Sequence, residues 1–325
     1  MVRPGISVIM PAYNHERFVG QAIESVLKQT HGAFEFIIVN DGSTDGTEEV
    51  IRRYDDERIT YVRQDNADAF GALNNGISLA TGAYIAIINS DDRFHPERLA
   101  TLLEYAQRRH AVLVFSNLDF IDEAGGSLAG HPLISYHDRL LQHLDREPLL
   151  PALLRGNPAI TTSNFFFRKD FVTAHGGFKP YRYAHDYDFL LRVMGYFPEQ
   201  MHYCPESLLS YRIHTANTVR ENPARVQFET FRVLMEHLPV LMACPQDRDS
   251  IAAAVEHLRQ MEYVMQDSDT VLQKIFASVS WKITAPLRIA GEMLGVEAPG
   301  TASTWSRIRT FVRRLAHGKR PSSGR

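Results

Sequence analysis

The chain has 325 residues, of which 44% are apolar and 22% charged; that is enough apolar content for a sizeable core and excludes global disorder. Its longest unbroken apolar run covers only residues 83–88, far short of the ~20 residues a membrane helix needs. Two cysteines, Cys204 and Cys244, are too few for a disulfide framework or a cysteine zinc site.

The formal charge of −3 is unevenly spread. Residues 301–325 hold seven basic side chains and no acid, which leaves 28 basic against 38 acidic side chains in the other 300, a net of −10. A chain-wide nucleic-acid surface is therefore not expected, and the basic C-terminal segment calls for its own account. The N-terminal residues do not read as a signal peptide, so a reducing cytoplasm is the expectation.

Strand and helix signals alternate through the first 110 residues. A β-rich run at 6–10 stops at Pro11, and residues 15–29 carry Phe18, Ala22, Ile23, Val26 and Leu27 at helical spacing. A buried strand at 34–39 runs into Asp41-Gly42-Ser43-Thr44-Asp45-Gly46, where Ser43 or Thr44 could cap a helix with Glu48 completing a capping box. A third strand at 59–63, a helix at 70–81, a fourth strand at 84–88 and a helix from Pro96 to about residue 109 follow. The middle is mixed: strands at 112–121 and 163–167, and a helix at 186–195. From Pro223 the pattern is mostly helical, with candidates at 223–238, 247–266 and 303–316.

The βαβαβαβ order predicts an α/β fold with a doubly wound, mostly parallel sheet. Ligands in such sheets sit beyond the carboxyl ends of the strands. Pro11-Ala12-Tyr13-Asn14, Asn40-Asp41-Gly42-Ser43 and Asn89-Ser90-Asp91-Asp92 fall there. Adjacent carboxylates at Asp91-Asp92 repel unless a cation or donors compensate them, and a hard divalent ion on a diphosphate does so. A helix N-terminus ahead of Pro96 accounts for the same acids. Asp41 suits either an Asx turn or a bond to a base or ribose. Tyr13 suits either packing or stacking on a base. Asp186 falls at the start of a helix whose apolar face is Phe189, Leu190 and Val193, and there a carboxylate can act as an N-cap or as a general base. His214 suits a structural role or a ligand for a manganese-like ion.

Together these segments resemble the family 2 glycosyltransferases, inverting enzymes with the GT-A fold. The resemblance is carried by Ser7-Val8-Ile9-Met10-Pro11-Ala12-Tyr13-Asn14, by Val39-Asn40-Asp41-Gly42-Ser43-Thr44-Asp45-Gly46-Thr47 and by Ala72-Leu73-Asn74-Asn75-Gly76-Ile77. Thr81-Gly82-Ala83-Tyr84-Ile85 leading into Asn89-Ser90-Asp91-Asp92, then His185-Asp186-Tyr187-Asp188 and Tyr211-Arg212-Ile213-His214, complete it in order. It covers about residues 5–220.

The resemblance implies transfer of a sugar from a nucleotide-diphosphate sugar to a hydroxyl of a glycan or lipid-linked glycan, assisted by a divalent metal, Mn2+ or Mg2+. It implies that Pro11, Ala12, Tyr13, Asp41 and Asn74 serve the nucleotide sugar, and that Asp91 contacts the ribose or supports the metal site. Asp92 would bind the metal, Asp186 would be the catalytic base, and His214 would contact metal or diphosphate. The chain departs from the family at Asn40, Asn89, His185 and Leu73, the last standing where many members carry an arginine.

The expected organisation is a catalytic domain at 1–220, a helical extension at 221–300, and a basic amphipathic helix and disordered tail at 301–325. Ser280-Trp281-Lys282-Ile283-Thr284-Ala285-Pro286 resembles a segment that follows this domain in bacterial polysaccharide glycosyltransferases. Trp305, Ile308, Phe311, Val312 and Leu315 opposite four arginines suit either an anionic membrane surface or docking on the acidic catalytic domain. A cytoplasmic protein peripheral to the inner membrane face is one outcome. Two competing readings are a sugar nucleotidyltransferase, which lacks support because no Gly-rich basic loop follows the first strand, and a non-catalytic nucleotide-sugar-binding subunit of an assembly complex.

Overall fold

The computed structural model describes residues 5–243. The expectations for helices at 247–266 and 303–316, the basic amphipathic face and the tail lie outside these residues. The first half follows the predicted alternation. Strands β1 (Ile6–Ala12), β2 (Phe34–Asp41), β3 (Ile59–Gln64) and β4 (Tyr84–Ile87) alternate with helices α1 (Val19–Leu27), α2 (Thr47–Ile51) and α3 (Asp68–Leu79). A two-residue strand β5 (Arg93–Phe94) precedes α4 (Arg98–Arg109) and β6 (Leu113–Ile121).

Helices α5 (Pro132–Arg146) and α6 (Leu149–Arg155) then form an excursion before β7 (Phe165–Arg168), which the sequence pattern does not announce. Helix α7 (Lys169–His175), α8 (His185–Tyr196), the long strand β8 (Met201–Arg212) and α9 (Pro223–Ala243) complete the described chain.

The strands form one eight-stranded sheet in the order β3-β2-β1-β4-β7-β6-β8-β5. Pairs β1/β2, β1/β4, β2/β3 and β6/β8 are parallel, whereas β7 runs antiparallel to both β4 and β6, and β5 antiparallel to β8. The sheet is thus mixed, with its parallel part where the βα alternation predicts it. Pro11 does not end β1 as expected. The last β1/β4 pair is Ile9 with Ile87, so the missing Pro11 N–H falls past that ladder while β1 continues along β2.

Both faces of the sheet are covered. On one, Ile6, Val8 and Met10 pack with Val19, Ile23 and Val26 of α1 and Leu99 and Leu102 of α4. On the other, Gly76 brings α3 directly onto Ile9 and Val39. Phe189 of α8 stacks on Phe178, with 4.5 Å between ring centroids, and on Phe165.

Two local expectations are corrected. Neither Ser43 nor Thr44 caps α2; instead Asp45 Oδ1 accepts from the Thr47 N–H at 3.0 Å and from its hydroxyl at 2.5 Å. Residues after 220 also join the unit that carries the motifs. In α9, Glu229 accepts from the Tyr183 N–H (2.7 Å), Glu236 from the Tyr181 hydroxyl (2.7 Å), and His237 meets Asp188 (2.8 Å). Among the described residues no helix is long and apolar enough to cross a membrane.

Gly82, at the entry to β4, donates its N–H to Ser7 Oγ at 2.9 Å. A Cβ there would sit 2.7 Å from the Ser7 backbone nitrogen and 2.8 Å from the Ile6 carbonyl carbon. Gly82→Ala should therefore lower stability by about 1–3 kcal/mol, measured as a shift in denaturant midpoint with unchanged slope.

Candidate active site

Strands β1, β2 and β4 end side by side, and a cleft of about 460 Å³ opens beyond their carboxyl ends, a volume suited to a small ligand. Pro11, Ala12, Tyr13, Asp41 and Asp91 line it from the strand ends, and Asp186 at the start of a later helix lines it too. The sheet topology therefore gathers most of the candidate residues into one site.

At one end Tyr13 is 45% exposed, leaving a ring face free to stack. Asp41 is buried at the end of β2, and Oδ1 accepts from Gln64 Nε2 (2.7 Å) and the Ala67 N–H (2.9 Å). Burial outweighs these donors and moves its carboxyl above the ordinary value. Asn14 has φ +52°, and its side chain accepts from the Thr44 N–H at 2.8 Å. This bond ties the loop after β1 to the loop after β2.

In the centre, the turn after β4 is held from all sides. The Asn89 side chain donates to Thr161 Oγ1 (2.9 Å) and accepts from the Thr162 hydroxyl (3.1 Å), and its N–H donates to Ser163 Oγ (2.8 Å). The buried Arg212 donates to the Asp91 carbonyl (2.7 Å), to the carbonyls of Asp122 and Glu123, and to Gln21 Oε1.

The two adjacent acids part company here. Asp91 lines the cleft and Oδ2 lies 2.9 Å from His214 Nε2. Burial opposes its ionisation, but His15 and His214 beside it prevail and hold its carboxyl below the ordinary value. Asp92 is fully buried and does not line the cleft. Its Oδ2 accepts from the Ser163 hydroxyl (2.6 Å) and its Oδ1 from the Arg212 N–H (2.9 Å). Burial first, and the Asp91 charge second, push its carboxyl well above the ordinary range. The expectation that Asp92 holds a metal is therefore corrected: both its oxygens serve the fold.

The ligand atoms of His15, Asp91 and His214 all lie within 4.8 Å of one another. This set of two imidazoles and a carboxylate suits a manganese-like ion better than magnesium, which prefers oxygen donors. Nothing in the local sequence singles out His15, which sits in the loop after β1 two residues past Tyr13. It is anchored by its N–H on Thr47 Oγ1 (2.8 Å), and its Nδ1 lies 2.8 Å from Ser90 Oγ.

Asp186, which also lines the cleft, occupies the first turn of α8. Oδ1 accepts from the Tyr187 N–H and Oδ2 from Asn157 Nδ2, both at 2.7 Å. Burial overrides these bonds and raises its carboxyl to about 7, where a general base works best. Beside it, His185 Nδ1 lies 3.1 Å from the Tyr181 carbonyl and so must carry the proton. Burial drops this imidazole to about 4, so it is neutral at pH 7 and adds no charge next to Asp186.

Asp188 points inward instead, buried among Arg192 (2.9 Å), Lys179 (2.9 Å) and His237 (2.8 Å). Asn74 is likewise corrected. It does not line the cleft; its amide donates to the Phe178 carbonyl and accepts from the Phe178 N–H, both at 2.8 Å, and so fixes the turn before α8. Leu73 is fully buried. The guanidinium that does line the cleft is Arg182, paired with Asp68 and Glu221.

Comparison with known proteins follows the same lines. Residues 7–176 match the sequence model of Glycosyl transferase family 2. An uncharacterized glycosyltransferase of Rickettsia typhi is 28% identical over 233 residues, 71% of this chain and 70% of that one. A putative teichuronic acid biosynthesis glycosyltransferase of Bacillus subtilis is 36% identical over 129 residues, 39% of this chain and 51% of that one. Among solved structures, a mannosyltransferase of Pyrobaculum calidifontis in complex with GDP-Man and Mn2+ shares the fold, with a TM-score of 0.58 at 15% identity over 98% of this chain and 89% of that one.

Ser163 bridges Asp92 and the Asn89 N–H within the core. Ser163→Ala strands both partners and should cost about 1–3 kcal/mol, read as a fall in thermal midpoint.

Proposed function

We propose that this chain, which belongs to glycosyl transferase family 2 and is a nucleotide-sugar-dependent glycosyltransferase of the GT-A fold, transfers its sugar with inversion to a hydroxyl of a glycan or lipid-linked glycan. The observation that carries this reading is the division of the cleft. One carboxyl raised to about 7, Asp186, lines the same cleft as Asp91 and His15, with His214 against Asp91. A single displacement needs one base on the acceptor side and charge stabilisation on the leaving-group side.

Tyr13 stacks on the base of the nucleotide, and Asp41 accepts hydrogen bonds from base or ribose. Its Oδ1 is already fixed by Gln64 and Ala67, so the carboxylate meets the ligand in a preset orientation. Asp91, with His15 and His214, would hold a divalent ion, Mn2+ by the donor set. Such an ion, when bound, supplies Lewis-acid stabilisation of the diphosphate leaving group.

Asp186 accepts the proton of the acceptor hydroxyl as that oxygen attacks the anomeric carbon. The C–O bond to the diphosphate breaks on the opposite face, so the configuration at that carbon inverts. The proton ends on Asp186 Oδ and the electron pair of the broken bond on the diphosphate. The named relative in teichuronic acid biosynthesis supports a polysaccharide acceptor for this chain, and the GDP-Man and Mn2+ of the mannosyltransferase support the donor class and the ion.

The base must be ionised to act. With its carboxyl at about 7, turnover should rise with pH through neutrality and fall below it, as protons fill the base. Asp186→Asn should lower kcat about 10²–10⁴-fold, while the thermal shift produced by UDP or GDP with Mn2+ stays as in the parent chain. Unchanged turnover in this variant contradicts the assignment of the base. No shift with either nucleotide contradicts the assignment of the cleft.

A further inference from the structure

Residues 156–160 link α6 to the segment that clamps the turn after β4; Ile160 among them lines the cleft, and Asn157 bonds Asp186. Three features show that this turn is tightly specified. A Cβ at Gly156 would overlap the Tyr136 hydroxyl, so the tyrosine ring packs where only glycine fits. Ile160, which lines the cleft, holds φ at +65°, a left-handed conformation that β-branched residues avoid. The Asn157 side chain is oriented from within: Oδ1 accepts from the Ala159 N–H at 3.0 Å. An amide whose oxygen is committed must turn its NH2 the other way, and that group meets Asp186 Oδ2 at 2.7 Å.

We propose that Asn157 is a positioning residue for the base: its amide N–H fixes the plane of the Asp186 carboxylate and favours the ionised form over the acid. The proposal rests on the reading of Asp186 as base. It assigns the α5–α6 excursion a purpose, since Tyr136 of α5 and Gly156 at the end of α6 set the turn that presents Asn157.

The surroundings of Asp186 make this bond matter. Tyr136 from α5, Tyr211 from β8 and Tyr187 of its own helix lie within electrostatic reach of it, and His185 precedes it in the chain. Burial raises each phenol, Tyr136 to about 12, and lowers His185 to about 4. All four are therefore uncharged at neutral pH. Burial of Asp186 favours its acid form, and the donors opposing it are backbone N–H groups and Asn157. Removing a donor to the charged form moves a carboxyl upward.

The experiment is a carboxyl titration of the full chain labelled with 13C-aspartate, the Asp186 signal being identified by its loss in Asp186→Asn. Asn157→Ala should move the Asp186 midpoint upward by on the order of one pH unit. Asn157→Asp is isosteric, keeps an acceptor for the Ala159 N–H, and so keeps the turn even if the alanine variant does not fold. It replaces the donor with a second carboxyl and should move the midpoint further up. In turnover, the acidic limb should follow the midpoint while KM for the nucleotide sugar stays within about twofold. A midpoint that stays in place or falls in these variants overturns the proposal, and so does a loss of turnover at every pH with no movement of the limb. The titration needs no turnover, so absence of glycosyl transfer counts against the function, whereas an unmoved midpoint counts against Asn157.

Discussion

The turn that follows β4 is polar, buried and central, and the rest of the site depends on how it is satisfied. A buried polar group without a partner costs about 1–3 kcal/mol, and here the Asn89 amide, the Asp92 carboxyl and the Asp91 carbonyl lie together. The fold answers with side chains from distant parts of the chain: Thr161, Thr162 and Ser163 on one side, Arg212 on the other. Arg98, itself buried and lowered to about 9 by that burial, fixes this support in turn by donating to the Ser163 carbonyl (3.1 Å) and to Ser116 Oγ (2.8 Å). Strand β7 runs antiparallel between β4 and β6 and brings the 161–164 segment against the turn. The break in parallel topology is therefore what supplies the clamp.

Burial then separates three acids by role. Asp92 lies wholly inside, has both oxygens engaged, and is raised by burial and by its neighbour. Asp91 faces the cleft and is held ionised by two imidazoles despite its burial. Asp186, with no cation among the groups acting on it, is raised to about 7. Chemically identical side chains thus come to differ: one is spent inside the fold, one is held ionised at the cleft, and one, the base proposed above, is raised there. The backbone decides which, because it sets what each carboxyl faces.

This also explains what was legible in the sequence. The βα alternation gave the parallel half of the sheet, and turn residues at strand ends placed Tyr13, Asp41 and Asp91 in the cleft. Strand β8 went unread because its pairing with β6 shifts register between Ser116 and Leu118, which blurs the alternation of a strand containing Pro205 and Glu206. Which of two adjacent aspartates faces the ligand is a matter of how the turn is rotated against the core, and nothing in Asp91-Asp92 states it. Asn74 belongs to a recognisable motif, yet its amide is spent on Phe178, 104 positions away. His15 and Asn157 carry no local signal at all; each matters only because the fold sets it against an acid from elsewhere in the chain.

A single displacement, with one base and one leaving-group site, inverts the anomeric carbon. The most direct measurement is the anomeric configuration of the first product, read by proton NMR from an α-linked nucleotide sugar and a hydroxyl acceptor before further reaction. A β-linked product is the result the geometry predicts. An α-linked product would mean retention of configuration and would contradict a single displacement.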